Sequence, residues 1–230
     1  MRKYFAEMIG TFVLVFMGCG TAMLVGCDTI LESGYVLTPL AFGLSVAAMA
    51  YCVGNISGGH FNAAVTLAML IRKKISGKDA VYYWVFQLIG AFAASALLWI
   101  LFRMIRIWDM TGNMGSNGLD GVNGNAIVGL IVEAVLTFIF LMVIQGVTSE
   151  KFHHGSFAGL IIGLTLTLVH ILGIGLTGTS VNPSRSAAPA VMAFLTGNGE
   201  PLESLWVFVA GPFAGAILAA LVYPALEGKE

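Results

Sequence analysis

The sequence is poor in charge. Of 230 residues only 10% are Asp, Glu, Lys or Arg, whereas 58% are hydrophobic. A soluble domain carries about a quarter charged residues, so the composition implies a polytopic membrane protein. A field of one sign is also missing: the formal net charge is −1, which leaves no electrostatic footprint for nucleic acid. Cysteine is scarce. Cys19, Cys27 and Cys52 lie in or beside apolar runs without C-x-x-C spacing and read as small core residues, not as metal ligands or a disulfide framework. There is no G-x-S-x-G elbow, no H-E-x-x-H pair and no acid pair beside an evident nucleophile. An intramembrane enzyme therefore has no chemistry to draw on, and neither cofactor nor metal is expected. The first apolar run, Phe5 to about Gly26, shows no obvious cleavage site after its basic start, as expected of a retained span.

What is present is a set of long apolar runs, near residues 4–26, 36–55, 81–104, 127–147, 157–174 and 203–224. Each is long enough to cross ~30 Å of hydrocarbon. They are continuous and rich in Leu, Ala, Met and Gly, without the alternating segments of about ten residues that mark a membrane barrel, so six helical spans are predicted. Lys and Arg set the orientation. Arg2, Lys3, Arg72, Lys73, Lys74, Lys78, Lys151 and Lys229 fall on one side, and the other side holds Arg103 and Arg106 with Asp28, Glu32, Asp109, Asp120, Glu200 and Glu203. Both termini are therefore expected on the cytoplasmic side. His153 and His154 lie in a short connection on that side and read as solvated.

Two short stretches interrupt the pattern in the same way: Ser57-Gly58-Gly59-His60-Phe61-Asn62-Ala63-Ala64-Val65-Thr66 and Thr177-Gly178-Thr179-Ser180-Val181-Asn182-Pro183-Ser184-Arg185-Ser186. Each is a Gly-containing irregular run that ends in Asn, a helix N-cap residue, and leads into about ten helix-compatible residues, too few to cross. Gly58 and Gly178, like Asn62 and Asn182, are 120 positions apart, and Glu7-x-x-x-Thr11-Phe12 recurs as Glu133-x-x-x-Thr137-Phe138. With three spans per half, the second half must start on the opposite side. The expectation is an all-α membrane protein: six transmembrane helices plus two re-entrant half-helices in two inverted repeats, the first about 1–105 and the second about 127–230. The linker between them, about 106–126, reads as a flexible polar loop, since the ordered ligand pattern of a calcium loop is missing.

Irregular backbone in hydrocarbon is tolerated only where it is buried in protein or lines a wet cavity. The runs 55–61 and 173–181 are therefore expected to present carbonyls along a pore. Two half-helices entering from opposite sides bring their positive ends together near the midplane, which disfavours cations and protons there. Asn62 and Asn182 would each cap their helix with the side-chain oxygen and turn the amide N–H₂ toward the cavity, enough to hold one water oxygen.

These residues carry a resemblance. SGGHFNAAVT and TSVNPSRS resemble the two Asn-Pro-Ala boxes of the aquaporin, or major intrinsic protein, family, and AFGLSVAAMAYCVG resembles its second span. The similarity covers nearly the whole chain and is greatest to the bacterial water-selective branch. It implies a passive water channel in the cell (inner) membrane, a homotetramer with one pore per subunit, water as permeant and the lipid bilayer as surroundings. It implies an outer constriction of Phe42, His170, Thr179 and Arg185. It also implies that the buried acids Glu7 and Glu133 accept bonds from the re-entrant backbone, and that His60 faces the cytoplasmic half-pore. Ser186 after Arg185, where glycerol-conducting members typically have Asp, favours water. The alternative is a facilitator of glycerol, urea or ammonia. The boxes depart from the family at Asn62-Ala63-Ala64 and Asn182-Pro183-Ser184. Ala63 should keep the half-helix while losing a proline contact, and Ser184 is expected to bond back to a helix carbonyl with little other effect.

Overall fold

A computed structural model of the chain describes residues 1–27, 34–151 and 155–228. Asp28, Glu32, His153, His154 and Lys229, placed above by their surroundings, lie outside the described residues. The long helices are α1 (Arg2–Val25), α2 (Gly34–Ser57), α4 (Gly77–Ile105), α5 (Ala126–Val147), α6 (Ala158–Thr177) and α9 (Val207–Glu227). Each coincides with a predicted run, and all six are long and apolar enough to cross a membrane. The extra turns lie at the ends. Ser76, for example, starts α4 about one turn before the apolar run by accepting a bond from Asp79 N–H at 3.1 Å. Leu44, Leu168 and Leu221 stand exposed on the outer faces of their helices, which only hydrocarbon surroundings favour.

Three shorter α-helices remain among the described residues, besides two 3-10 turns: α3 (Ala63–Ile71), α7 (Pro183–Leu195) and the single turn α8 (Glu200–Glu203). At about 1.5 Å per residue, α3 advances about 14 Å and α7 about 20 Å, so each reaches only part way through ~30 Å of hydrocarbon. The fold is thus six spans with two half-helices entering between them.

Small residues set the helix crossings. Without a hydrophobic force between helices in lipid, close backbone approach supplies much of the attraction. At the α2–α6 crossing a Cβ on Gly43 would meet Gly163 O and Thr167, and a Cβ on Gly163 would meet Gly43 O and Ala47. These glycines too are 120 positions apart, so the two halves meet through equivalent points. Gly90 packs on Met8 of α1, and Gly211 and Gly215 pack on α5.

Three expectations need correction. First, α2 runs on to Ser57 and α6 to Thr177, so the irregular runs shrink to Gly58–Phe61 and Gly178–Val181. Helix continuation satisfies every backbone group it touches, and in hydrocarbon that outweighs the low helix propensity of the glycines near these ends. Second, the linker is folded. Asp109 accepts bonds from Thr111 N–H, Thr111 Oγ1 and Met114 N–H at 2.9, 2.6 and 2.7 Å, and Met110 N–H donates to Met23 O at 2.8 Å. Third, only Cys19 is a core residue. Cys27 is half-buried with Thr38 near its thiol, and Cys52 is exposed on α2.

Candidate functional site

The structure brings the two boxes together tip to tip, and their chemistry is reciprocal. Asn62 Oδ1 accepts from Ala64 N–H at 2.7 Å and Val65 N–H at 3.4 Å, and Asn182 Oδ1 accepts from Ser184 N–H at 3.1 Å and Arg185 N–H at 3.3 Å. Each amide nitrogen then reaches across: Asn62 Nδ2 donates to Val181 O at 2.7 Å and Asn182 Nδ2 to Phe61 O at 2.9 Å. The sequence reading gave both amide hydrogens of each Asn to the pore. One of each pair instead ties the two halves together, which leaves one N–H per Asn for a ligand.

Two buried acids hold the turns before the caps. Glu7, fully buried, accepts from Ser57 Oγ at 2.7 Å, His60 N–H at 2.9 Å, Phe61 N–H at 2.7 Å and Gln87 Nε2 at 2.8 Å. Glu133, also fully buried, accepts from Thr177 Oγ1 at 2.7 Å and from Ser180 and Val181 N–H at 2.9 Å each. The turns need such anchors. Phe61, Thr179 and Val181 sit at φ of 50, 48 and 45°, the left-handed region, which costs a non-Gly residue about 1–3 kcal/mol and persists only where surroundings over-determine it. Gln87 was missed in the sequence, although an amide in an apolar span is a visible signal.

Beyond the second box lies Arg185, 2% exposed. Its Nη1 donates to Asn117 Oδ1 at 2.9 Å and Gly115 O at 3.2 Å, both in the linker, while its Cζ sits 4.7 Å from the Phe42 ring centroid. The Phe42 ring also stacks on His170, with centroids 4.6 Å apart. His170 Nδ1 lies 2.9 Å from Leu166 O. A carbonyl only accepts, so Nδ1 carries the hydrogen and Nε2 of the neutral ring is a bare acceptor. Both His170 Nε2 and Arg185 Nε are buried without a protein partner. Of the four predicted constriction residues, Phe42 thus contacts both His170 and Arg185. Thr179 differs. Its hydroxyl lies against Gly173, where a Cβ would collide with it, and Thr179 is absent from the cavity wall.

A cavity of about 490 Å³ extends from Phe42, His170 and Arg185 past Asn62 and Asn182 to Arg72, Gln145 and Lys151. Between its polar ends the wall is apolar, with Val46, Val65, Phe140 and Leu166. A second cavity of about 180 Å³ is lined by Cys27, Thr38, Asn113 and Thr177. Arg185 lines both, so the guanidinium is the partition between them. His60 lines the larger cavity. Its Nδ1 lies 3.0 Å from Thr66 Oγ1, whose own hydrogen goes to Asn62 O, so the ring donates here as well. Among the described residues no group of three His, Cys, Asp or Glu side chains is placed to hold a metal ion.

At the boxes' own departures, Ala63 is buried and its carbonyl accepts from Trp84 Nε1 at 3.1 Å. Ser184 is buried, and among the described residues its hydroxyl makes no bond back to a helix carbonyl. Ala63→Pro is expected to leave the melting temperature equal or raised, by the equivalent of about 0.4–1 kcal/mol. Position 63 is the first helical residue, where an N–H has no intrahelical partner, and Asn62 at φ −155° and ψ 127° suits a following proline. A clearly lower melting temperature in detergent would show that the junction cannot take the ring.

Six spans, two capped half-helices meeting inside the bundle and a buried cation between two cavities define a channel-type membrane protein. Residues 1–223 match the family model described as Major intrinsic protein. The chain is 40% identical over its whole length, and that of the relative, to an Aquaporin Z of Brucella melitensis biotype 1. It is 44% identical, over 96% of this chain and 95% of the relative, to the glycerol uptake facilitator protein-like 6 of Lactiplantibacillus plantarum. The chain belongs to the major intrinsic protein family and is a multi-pass membrane protein, not an enzyme. Its fold matches that of the aquaglyceroporin from Plasmodium falciparum with a TM-score of 0.85 at 24% identity, over 96% of this chain and 94% of that one.

Proposed function

We propose that the chain is a passive water channel that excludes glycerol, ions and protons. The observation that carries this reading is the constriction. Phe42 packs against both His170 and Arg185, so the opening is narrow, and among their buried polar atoms the acceptor His170 Nε2 and the donor Arg185 Nε have no protein partner. Water, which both donates and accepts, satisfies both within its own width. A three-carbon polyol needs more room at the Phe42 ring. The guanidinium and the two half-helix N-termini are positive where a cation or proton would pass, and one free N–H on each Asn turns the hydrogens of a water away from its neighbours in the file. Selection is by width, hydrogen bonding and potential, without covalent chemistry.

The same reading puts the protein in the cell (inner) membrane with both termini cytoplasmic, supported by the distribution of Lys and Arg. It divides the chain into halves of about 1–105 and 127–230 around the linker. It also makes the working unit a homotetramer with one pore per subunit, as the family resemblance implies.

The second reading is a facilitator of glycerol or similar neutral solutes, favoured by the relative named as a glycerol uptake facilitator-like protein. Stopped-flow light scattering separates the two. Proteoliposomes under an osmotic step are expected to shrink much faster than empty vesicles, and to re-swell in glycerol no faster than empty vesicles do. Re-swelling in glycerol at a rate near that of water would establish the second reading, and shrinkage no faster than empty vesicles would sink both.

A further inference from the structure

The geometry points to Asn117, a residue of the outer linker, as the positioning residue that holds Arg185 in the constriction and so sets which solutes pass. This rests on the water-selective reading and adds to it a side chain outside both boxes and all spans.

Asn117 is 2% exposed although it lies in a Gly, Ser and Asn-rich loop. Its Oδ1 accepts from two groups at once, Arg185 Nη1 at 2.9 Å and Ser186 Oγ at 2.7 Å, while its Nδ2 donates to Thr177 O at 3.3 Å. The orientation of the amide is not arbitrary. A guanidinium only donates and a carbonyl only accepts, so oxygen must face Arg185 and nitrogen must face Thr177. The Thr177 end is locked by a further bond, since Gly118 N–H donates to the same carbonyl at 3.3 Å. The Ser186 end continues inward: Ser186 Oγ lies 2.6 Å from Ser180 Oγ, which accepts from Asn182 N–H at 3.2 Å. One side chain thus joins the outer linker, the constriction and the second box.

Arg185 needs that hold. Gly115 O at 3.2 Å is the other acceptor of Nη1, and Nε has no protein partner. The side chain borders open space on two sides, because it lines both cavities. With Asn117 in place, Nη1 is drawn toward the linker wall and the guanidinium stands as a fixed partition over Phe42. Without it, the long side chain keeps one weaker tether and can swing into either cavity, so the opening is no longer of one size. Ser186 acts through the same oxygen, steering Asn117 without touching Arg185.

The test is a double-mutant cycle read as the ratio of glycerol to water permeability in proteoliposomes. Asn117→Ala is expected to raise that ratio roughly tenfold, the scale set by loss of one hydrogen bond to a charged group. In an Arg185→Val background the same substitution is expected to change nothing, because its target is gone. A merely structural role for Asn117 would alter both backgrounds equally, and that result would overturn the inference. So would an unchanged ratio in Asn117→Ala while the unaltered channel excludes glycerol, which leaves the water-selective reading standing. If the unaltered channel itself passes glycerol as readily as water, the selectivity reading fails first and the inference falls with it. Should Asn117→Ala not fold, Asn117→Ser serves, since its hydroxyl can still cap nearby backbone but is too short to reach Nη1.

Discussion

In vesicles carrying Arg185→Val, glycerol permeability is expected to rise by about tenfold or more over the unaltered channel, water flux to persist, and a proton leak to appear. The size argument comes from the contacts. The guanidinium packs at 4.7 Å from the Phe42 ring centroid and separates the two cavities. Valine removes that bulk and leaves Phe42 and His170 to face an enlarged opening. Fitting or rejecting a single methylene is worth about 10–200-fold, and the side chain removed here is larger than that. The leak follows from charge. A fixed unit charge about 4 Å from a passing cation opposes it by about 4 kcal/mol at an effective dielectric near 20. Removing it leaves only the two half-helix ends as a positive barrier. Glycerol influx and a pH-sensitive dye in the same vesicles read both effects. Unaltered glycerol exclusion in this variant would place the selective point elsewhere in the cavity and end the case for a constriction at Arg185.

Glu133→Ala is expected to act on folding instead of selectivity. The carboxyl group takes bonds from Thr177 Oγ1 and from the N–H groups of Ser180 and Val181, all buried. Alanine would leave two backbone donors without partners inside the bundle, at about 1–3 kcal/mol each. It would also release Val181 and Thr179 from a left-handed backbone they hold only under constraint. A loss on this scale is a large share of the roughly 5–15 kcal/mol that separates folded from unfolded proteins. A steep fall in melting temperature and in the yield of monodisperse protein in detergent is the expected outcome. Glu133→Gln should fall between the two, since one acceptor oxygen survives. A Glu133→Ala melting temperature within a few degrees of the unaltered protein would mean that the second re-entrant turn is held by packing alone.

The spans were legible because hydrocarbon leaves the backbone one economical choice, and an apolar run near twenty residues long states that choice openly. The half-helices were legible from their Asn caps, and Glu7 and Glu133 from being acids where acids are expensive. The ends of α2 and α6 were read too short because the irregular runs 55–61 and 173–181 were taken to begin where the helices in fact continue. The direction of the Thr179 hydroxyl, set by the space beside Gly173, leaves no mark in the local sequence. Asn117 was equally hidden. In a linker of Gly, Ser and Asn, one more Asn is unremarkable until residues 68 and 69 positions further on come to rest beside it.

The crossed bonds at the tips of the half-helices bear on how the chain is made. Phe61 O and the Asn62 amide find their partners in Asn182 and Val181, which leave the ribosome about 120 residues later, several seconds at ordinary rates of synthesis. Until then Glu7 already holds the His60 and Phe61 N–H groups, but Phe61 O and the Asn62 amide N–H lack their partners. The two boxes therefore complete each other only once the second half has been made, and the tips of both half-helices take their final hydrogen bonds together.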